Sequence, residues 1–342
     1  KYGSPIYCYS NKRLVDNIVN FKNSFKSFNP LICFSVKSNY NSTILRIIKE
    51  HGLGADVVSD GELKKVLSLG FKPNRIVYSG VGKKFEELKF AISKNILLIN
   101  VESESELKNI KKIAEKFRKK VSVGLRLNPN IDAKTNTKIS TGRIQDKFGL
   151  NGNDIIKILN KFKNSKNIKI KCLSVHIGSQ ITQNKPYNNV LVAINKILSK
   201  SKYKFEYIDL GGGMGIKYIK DNKKLDYSKL SKNIHKFSKR NNCKIIFEPG
   251  RSIVGNTAVL LTKVIYIKNS SNKKFIIIDA GMNDLIRPAL YNATHDIIPL
   301  TKKSSRNFSS HDFVGPICET SDRFLKTKNY QKINEGDNLA IK

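Results

Sequence analysis

Short apolar runs alternate with amphipathic helical stretches along most of this chain, and this alternation is the feature that most restricts its fold. Eight apolar runs occupy residues 31–36, 55–58, 75–78, 96–101, 121–127, 168–176, 207–210 and 244–247. Helical periodicity predicts helices at residues 43–51, 61–69, 85–94, 103–119, 153–162, 188–199 and 225–240. Eight strands that alternate with helices close naturally into a barrel. The sequence therefore predicts an α/β fold with a (β/α)8 TIM barrel over residues 10–254.

The pattern changes after residue 251, where strand-like segments follow one another with few helical stretches between them. Strands are predicted at residues 258–267, 274–279, 297–300 and 338–341. This predicts a second, all-β domain over residues 255–342, and the apolar run 6–9 within residues 1–9 is a candidate strand of the same domain. The chain starts without methionine and stops inside a predicted strand, so we expect cut ends and a second domain truncated at its carboxyl end.

Composition narrows the class of protein. The formal net charge is +36, but the lysines are spread evenly and form no basic block with interleaved aromatic residues. We therefore predict a solvated lysine surface rather than a surface that binds nucleic acid. The five cysteines form no Cys-x-x-Cys pair and no metal spacing with histidine, which predicts a reducing, cytoplasmic location and no metal site. No segment is long and apolar enough to predict a membrane span, so we expect a soluble protein.

Polar residues follow the apolar runs, where the carboxyl ends of barrel strands carry ligand sites. Lys37 closes the run 31–36, and a lysine buried at a strand end is costly to keep charged. Because burial favours the neutral amine, Lys37 is a candidate Schiff-base residue for pyridoxal phosphate. The simpler interpretation is a strand-end lysine that extends to solvent. Ser59, Ser79 and Glu102 also follow apolar runs, where an ordinary helix cap is the simpler interpretation.

Three later strand ends carry further candidate residues. The run 209–215 offers unobstructed backbone N–H groups after the seventh predicted strand, and barrel phosphate sites favour the loops after strands seven and eight. Glu248 follows the eighth strand, where a carboxylate can keep a pyridine nitrogen protonated. His176 ends the sixth run and could stack on a cofactor ring. The alternatives are a tight glycine turn, a surface pair between Glu248 and Arg251, and a buried core histidine.

Together these segments resemble a known family. The segments 34–39 (Phe-Ser-Val-Lys-Ser-Asn), 54–59 (Gly-Ala-Asp-Val-Val-Ser), 176–179 (His-Ile-Gly-Ser), 211–213 (Gly-Gly-Gly) and 248–252 (Glu-Pro-Gly-Arg-Ser) are similar to motifs of the fold-type III pyridoxal-phosphate decarboxylases. Within that group, residues 279–291, His295 and residues 315–322 resemble the diaminopimelate decarboxylase family. The resemblance runs over almost the whole chain in the expected order, and it implies a pyridoxal-phosphate-binding barrel with a second β domain.

The resemblance also implies a role for each matching residue. Lys37 would form the Schiff base, Glu248 would hold the pyridine nitrogen, and His176 would stack on the ring. The implied cofactor-binding residues are Lys37, Asp56, His176, Ser179, Gly211, Gly212, Gly213, Glu248, Gly250 and Arg251. The implied substrate-binding residues are Arg251, Arg287, Tyr291 and Glu319. The implied catalytic residues are Lys37, His176 and Cys318. Cys318 would donate a proton after CO2 leaves, and it would act with Glu319 across the interface of a homodimer.

The predicted activity is decarboxylation of meso-2,6-diaminopimelate to L-lysine and CO2, the last step of lysine biosynthesis. Diaminopimelate has two amino-acid ends, so the distal end needs partners for both of its charges. Arginines such as Arg287 suit carboxylates because the guanidinium fork binds them bidentately, and Glu319 suits the distal ammonium. The alternatives are an ornithine- or arginine-type decarboxylase of the same fold, an alanine racemase, a non-catalytic relative, and a nucleic-acid-binding protein suggested by charge alone.

Overall fold

The computed structural model describes residues 2–218, 225–271, 273–301, 306–307, 310–328 and 330–342. These residues divide into two compact units. The barrel unit contains residues 14–216 and the described residues from 225 to 255. The sheet unit contains residues 2–13, 217–218 and the described residues from 256 to 342. Residues 217–218 therefore lie in the sheet unit, although they fall between two barrel strands in the sequence.

Eight parallel strands close the barrel, which confirms the predicted α/β barrel fold. They are Leu31–Ser35, Gly54–Val57, Ile76–Tyr78, Leu98–Val101, Val121–Arg126, Ile168–Ser174, Tyr207–Asp209 and Lys244–Phe247. The first strand closes on the last, with Leu31 opposite Ile246. Parallel strands covered on both faces are nearly continuous apolar runs, and this is why the sequence revealed them.

Helices cover the outside of the barrel strands, and each buries an apolar stripe. They are Asn11–Ser24, Ser42–Glu50, Asp60–Ser68, Phe85–Ser93, Glu104–Lys116, Gly152–Phe162, Asn184–Ser201, Tyr227–Asn241 and Arg251–Val254, with 3₁₀ turns at Lys26–Phe28, Val36–Ser38, Pro73–Arg75 and Thr137–Ile139. Ser59 is the N-cap of the third helix, and its hydroxyl accepts the Glu62 backbone N–H at 3.2 Å. The simpler interpretation of Ser59 is therefore the one that the structure supports.

A separate apolar layer fills the barrel interior. It consists of fully buried side chains from five strands: Cys33, Val77, Leu98, Cys172 and Ile246. Burial raises the pKa values of Cys33 and Cys172 well above the ordinary thiol value, so both act as small neutral core residues. The layer closes the barrel below the carboxyl ends of the strands, where polar side chains replace apolar ones.

The sheet unit contains a seven-stranded sheet. In spatial order its main path is Ile297–Pro299, Asn338–Ile341, Ala258–Ser270, Lys273–Ile278, Ser310–Val314 and Arg323–Thr327, and Ile6–Tyr9 pairs with Ala258–Ser270. The unit also contains the short pair Arg306–Asn307 and Tyr330–Gln331 and the helix Arg287–Tyr291. Ile6–Tyr9 runs antiparallel to its partner, with Ile6 opposite Leu261. Leu260, Ile276, Phe313 and Leu339 form part of the core of this unit.

Two strands of this sheet, Ser310–Val314 and Arg323–Thr327, were not predicted from the sequence. Asp312 is 1% exposed within the first of them, and its carboxylate lies 3.5 Å from both Lys273 and Arg323 on the neighbouring strands. A buried aspartate breaks the apolar alternation that marks a strand, and its cationic partners become neighbours only in the folded sheet.

No helix in the described ranges has the length and apolar character that a membrane crossing requires.

Candidate active site

A cavity of about 410 Å³ opens at the carboxyl ends of the barrel strands. Its lining includes side chains that follow several different strands: Lys37, Ser79, Arg126, His176, Ser179 and Glu248. The strand-end rule therefore gathers four of the ten predicted cofactor residues around one space within the barrel unit: Lys37, His176, Ser179 and Glu248.

Lys37 lies in the 3₁₀ turn Val36–Ser38, directly after the first barrel strand. Its Nζ lies 3.8 Å from Oδ2 of Asp56, and the Ser35 hydroxyl donates to the same oxygen at 2.8 Å. The Lys37 side chain is 52% exposed in this structure, so the expectation that it is buried is wrong. The turn places the side chain beyond the end of the strand. The amine faces the buried carboxylate of Asp56 rather than an apolar environment.

The glycine loop 211–213 lies against two other strand-end segments. A Cβ on Gly212 would be 2.2 Å from the Glu248 carbonyl oxygen, and one on Gly213 would be 2.2 Å from the Gly178 carbonyl oxygen. Gly211 and Gly213 have φ values of +63° and +87°, which side-chain-bearing residues rarely adopt. The glycines therefore permit a close backbone approach that no other residue type allows.

His176 borders both the cavity and the glycine loop. The backbone N–H of Gly212 donates to Nδ1 of His176 at 3.2 Å, so this nitrogen is the acceptor of the ring. Burial, followed by the charges of Lys37 and Arg126, lowers the pKa of His176 well below its usual range. A neutral, oriented imidazole is a suitable flat surface for an aromatic ring.

Ser179, Gly250 and Arg251 lie on neighbouring loops of the same unit. The Arg251 guanidinium donates from Nη2 to the Ser179 hydroxyl at 3.3 Å. Gly250 precedes the helix Arg251–Val254, and a Cβ on it would lie 3.0 Å from Cβ of Ser38. The simpler interpretation of Glu248 and Arg251 as a surface pair is wrong, because Glu248 is only 9% exposed.

Glu248 belongs to a buried polar network that the sequence analysis did not assign. The Ser79 hydroxyl donates to Oε1 of Glu248 at 3.5 Å. Asn100 Nδ2 donates to Ser79 Oγ at 3.2 Å and to Asp209 Oδ2 at 3.1 Å. A signal for Asn100 was present, since it is an amide inside the otherwise apolar run 96–101. Asp209 lies within the predicted strand 207–210 and is the last residue of the observed strand Tyr207–Asp209.

Two buried ion pairs hold the rim of the cavity. Arg126 Nη1 donates to Glu102 Oε1 at 2.6 Å, and the other Glu102 oxygen accepts the Gly149 backbone N–H at 2.8 Å. The Arg126 guanidinium also lies 4.7 Å from the ring centre of Phe148. Glu102 is thus a partner of Arg126 rather than an ordinary cap residue.

Lys83 forms the second pair, and the sequence analysis did not identify it. Its side chain is 1% exposed. Its Nζ donates to the carbonyl oxygens of Gly80 at 2.5 Å and Asn100 at 2.9 Å, and to Oε1 of Glu106 at 2.6 Å. Lys83 therefore ties the loop after the third barrel strand to the fourth strand.

The remaining predicted residues lie in the sheet unit. Arg287 and Tyr291 begin and end one short helix. The Arg287 guanidinium donates from Nη1 to Nε2 of His295 at 2.7 Å, and its centre lies 4.3 Å from the ring centre of Tyr218. His295 Nδ1 lies 2.5 Å from the Lys342 carbonyl oxygen. Because a guanidinium has no acceptor, Nε2 accepts and Nδ1 donates, so His295 is neutral.

Cys318 and Glu319 are exposed residues of the loop that follows the strand Ser310–Val314. The buried carboxylate of Asp322 accepts the backbone N–H of Met282 at 2.7 Å and that of Ile317 at 2.8 Å. These bonds fix the base of the loop, while the side chains of Cys318 and Glu319 extend from it. Their predicted roles across a dimer interface stay predictions.

The barrel cavity fits pyridoxal phosphate. Asp56 Oδ1 and Ser174 Oγ are buried polar atoms without hydrogen-bond partners in the described chain, and Ser174 lines the cavity. The glycine loop leaves room where a Cβ would collide. The cavity therefore combines an accessible amine, a glycine cradle and buried acceptors, which are the groups that this cofactor requires.

Gly212→Ala is expected to weaken binding of pyridoxal phosphate, because the new Cβ would lie 2.2 Å from a carbonyl oxygen. Overpacking of this kind costs about 1–3 kcal/mol. We expect the Kd of the cofactor, measured by fluorescence titration, to rise roughly tenfold or more. The control is Gly82→Ala, since Gly82 is exposed and its Cβ would contact nothing within 4 Å. An unchanged Kd in Gly212→Ala would exclude this loop from the cofactor site.

Comparison with known proteins places this geometry in a family. The family profile described as "Pyridoxal-dependent decarboxylase, pyridoxal binding domain" matches residues 11–255. A diaminopimelate decarboxylase of Aquifex aeolicus is 39% identical over 343 residues, which cover 99% of this chain and 81% of that relative.

Solved structures agree with the sequence match over the whole chain. The crystal structure of diaminopimelate decarboxylase from Helicobacter pylori, complexed with L-lysine, aligns with a TM-score of 0.95 at 38% identity, and the alignment covers 100% of this chain and 86% of that one. The enzyme of M. jannaschii in co-complex with L-lysine aligns with a TM-score of 0.92 at 33% identity, over 99% and 82% of the two chains. The chain belongs to the diaminopimelate decarboxylase family of pyridoxal-dependent decarboxylases.

Proposed function

We propose that the protein decarboxylates meso-2,6-diaminopimelate to L-lysine and CO2, the last step of lysine biosynthesis, with pyridoxal phosphate as cofactor. The single observation that carries the proposal is the barrel cavity, where Lys37, His176 and Glu248 lie beside the glycine loop in a chain 39% identical to a diaminopimelate decarboxylase. The Helicobacter pylori relative was crystallised with L-lysine, which is the product of the proposed reaction.

The cofactor residues divide by chemistry. Pyridoxal phosphate, when bound, supplies the electron sink for the electron pair of the broken bond between the α-carbon and the carboxylate. The phosphate group would be held by the loop 211–213 through the Gly213 N–H, by the backbone around Gly250, by the Ser179 hydroxyl and by Arg251. The Gly211 and Gly212 N–H groups donate to Asp209 and His176 instead. Glu248 would face the pyridine nitrogen.

The amine, imidazole and carboxylate each have one task in this proposal. Lys37 would hold the cofactor through its Nζ, and Asp56, 3.8 Å away, would orient that amine. His176 would stack its neutral ring on the pyridine ring, because the Gly212 N–H fixes its orientation. Glu248 would place a proton on the ring nitrogen, which makes the ring a stronger sink.

Substrate selection would depend on the sheet unit and on Arg251. Arg251, Arg287 and Tyr291 would bind carboxylate groups of the substrate, and Glu319 would bind the distal ammonium. A site that pairs a partly buried arginine with a second carboxylate would disfavour ornithine, because that arginine would lose its partner.

The proposed assembly is a cytoplasmic homodimer in which Cys318 and Glu319 act in the active site of the partner subunit. Two features support it. Cys318 and Glu319 are exposed on their own chain, and the loop that carries them is fixed at its base by Asp322. The five cysteines fit a reducing compartment, since none forms a disulfide in this chain.

Cys318→Ala is expected to lower kcat for CO2 release by about 100-fold, because a proton donor contributes 10²- to 10⁴-fold. Cofactor binding should not change, since the loop fold depends on Asp322 rather than on the thiol. Steady-state assays of CO2 release measure kcat, and absorbance spectra of the same samples report cofactor binding. Cys8→Ala is the control, because Cys8 is also an exposed thiol of the sheet unit. Loss of the cofactor spectrum in Cys318→Ala would indicate a structural role instead.

The proposed function is tested by measuring CO2 release from meso-diaminopimelate, ornithine and arginine under matched conditions. We expect release from meso-diaminopimelate alone. Release from ornithine or arginine without release from diaminopimelate would overturn the substrate assignment and leave the cofactor site intact.

A further inference from the structure

Asp209 and Glu248 form a buried carboxyl pair next to the cavity. Asp209 is 1% exposed and Glu248 is 9% exposed, both line the cavity, and hydrogen bonds through Ser79 and Asn100 connect them. In the described part of the chain, no lysine or arginine forms an ion pair with either, whereas Asp56 and Glu102 each have a cation. Two buried carboxyl groups that border one cavity without a paired cation oppose each other's ionisation, so the pair retains one proton.

The neighbouring donors decide which group carries that proton. Asp209 accepts the Asn100 amide N–H at 3.1 Å on Oδ2 and the Gly211 backbone N–H at 2.9 Å on Oδ1. Among the residues that the structure describes, Glu248 accepts one side-chain hydrogen bond, from the Ser79 hydroxyl, at the long distance of 3.5 Å. Because two good donors stabilise a carboxylate and one long bond does little, Asp209 is the ionised member and Glu248 is the acid.

We propose that Asp209 is a positioning residue that keeps the proton of this pair on Glu248, from which it passes to the ring nitrogen of the cofactor. The inference rests on the proposed function, in which Glu248 faces that nitrogen. The transfer breaks the O–H bond of Glu248, forms one N–H bond on the ring and leaves Glu248 as a carboxylate. No electrons are exchanged with any other group. The charge of Asp209 stabilises the resulting ring cation.

The titration behaviour of the pair agrees with this assignment. Burial raises the pKa of Asp209 to about 6, and burial, followed by the charge of Asp209, raises the pKa of Glu248 well above its usual range. Asp209 therefore ionises first as the pH rises.

Four other groups near the pair, Asp56, Lys37, Cys33 and Cys172, also bear on its ionisation. Asp56 opposes ionisation of both members, and Lys37 favours ionisation of Glu248. The thiols of Cys33 and Cys172 face the same carboxyl groups and stay neutral, since burial raises their pKa values. These four groups are unchanged in an Asp209 variant, so they do not account for its effect.

Asp209→Asn removes the charge and retains the shape. Its amide oxygen can still accept the Gly211 N–H. Asn100 can turn its amide, because its own Oδ1 is buried without a partner in the described chain. The substitution therefore separates the effect of charge from the anchoring of the glycine loop.

The first test follows carboxyl protonation in the full chain without cofactor by infrared difference spectroscopy across pH. The wild type should show a carboxylic-acid C=O band at pH 7 that Glu248→Gln lacks. In Asp209→Asn, the band should disappear at a pH lower by about one unit or more, since one unit is a tenfold change in proton affinity. An absent band in the wild type, or an unchanged midpoint in the variant, overturns the proposal.

Ser79→Ala provides an independent variant that leaves Asp209 in place. It removes the Ser79 hydroxyl, which donates to Glu248 at the long distance of 3.5 Å, so the pH midpoint of the band should change by much less than in Asp209→Asn. A shift as large as that of Asp209→Asn would place the proton elsewhere and overturn the assignment.

The second test uses the protein loaded with pyridoxal phosphate. Asp209→Asn should lower kcat about tenfold, with KM changed by less than about twofold and cofactor affinity retained. A rise in KM and cofactor Kd with unchanged kcat would make Asp209 a loop anchor and overturn the proposal. If the wild type binds cofactor but releases no CO2 from meso-diaminopimelate, the proposed function fails, and the infrared titration still decides where the proton lies.

Discussion

Lys37→Ala is expected to lower CO2 release from meso-diaminopimelate by about 10³-fold or more, because one substitution removes both the covalent anchor of the cofactor and an acid–base group, and acid–base catalysis alone contributes 10²- to 10⁴-fold. Borohydride reduction followed by peptide mass spectrometry should place the cofactor on Lys37 in the wild type. The variant should carry no specific adduct.

The surface lysines set the background of this experiment. The chain contains 63 lysine and arginine residues, so some nonspecific labelling will occur. Lys64→Ala is the matched control, since Lys64 is 60% exposed and pairs with Asp60 on a helix surface much as Lys37 pairs with Asp56. Specific labelling of another lysine in the wild type, or turnover in Lys37→Ala within tenfold of the wild type, would remove Lys37 from the mechanism.

Lys83→Met is expected to destabilise the barrel unit by about 3–5 kcal/mol, because it leaves a buried charge without its partner. The substitution leaves the Glu106 carboxylate without its cation, although that side chain is only 10% exposed to water. It also removes the donor to the carbonyl oxygens of Gly80 and Asn100. Urea unfolding followed by circular dichroism measures the loss. Lys108→Met is the control, since its pair with Glu104 is exposed and should change stability by less than about 1 kcal/mol.

The loss in Lys83→Met should depend on pH. Burial raises the pKa of Glu106, and Lys83 acts against that rise. Without Lys83 the pKa of Glu106 in the folded state is higher still. At a pH between the unfolded and folded pKa values, Glu106 is therefore protonated in the folded variant and ionised in the unfolded chain. The variant therefore loses stability as pH rises, and the difference from wild type should be smaller at pH 5 than at pH 8. A difference independent of pH would assign the effect to packing. Lys83→Met with Glu106→Leu should recover most of the loss.

The sequence predicted the barrel because its strands are apolar on both faces, so that a run such as 121–127 differs little from the observed strand Val121–Arg126. The first helix, Asn11–Ser24, was missed although its buried residues Leu14, Ile18 and Phe21 have helical spacing. The strand Ser310–Val314 was missed for a different reason. It buries His311 and Asp312, and the cations that offset the burial of Asp312, Lys273 and Arg323, lie on the neighbouring strands.

Site residues, like the strands, were predictable where a local sequence feature marks them and not where a long-range contact defines them. Lys37 and Glu248 could be found because a strand end is a sequence-local feature. The bond between Asn100 and Asp209 joins residues 109 positions apart, and its 3.1 Å distance is set by barrel closure. Lys83 looked like one more surface lysine, because its contact with Glu106 forms only in the folded chain. The exposure of Lys37 also depends on a turn of three residues that no apolar pattern marks.

The pairing of the earliest strands with distant ones has a consequence for the synthesis of the protein. Tyr9 lies opposite Ala258, and Leu31 lies opposite Ile246, so each waits for a partner that is translated more than 200 positions later. At about 5–20 residues per second, the ribosome needs roughly 10–50 s to deliver those partners. During that interval the apolar edge of Leu31–Ser35 is unpaired on the nascent chain. Yield on overexpression should therefore depend on chaperone capacity and translation speed more strongly than on the stability of the finished protein.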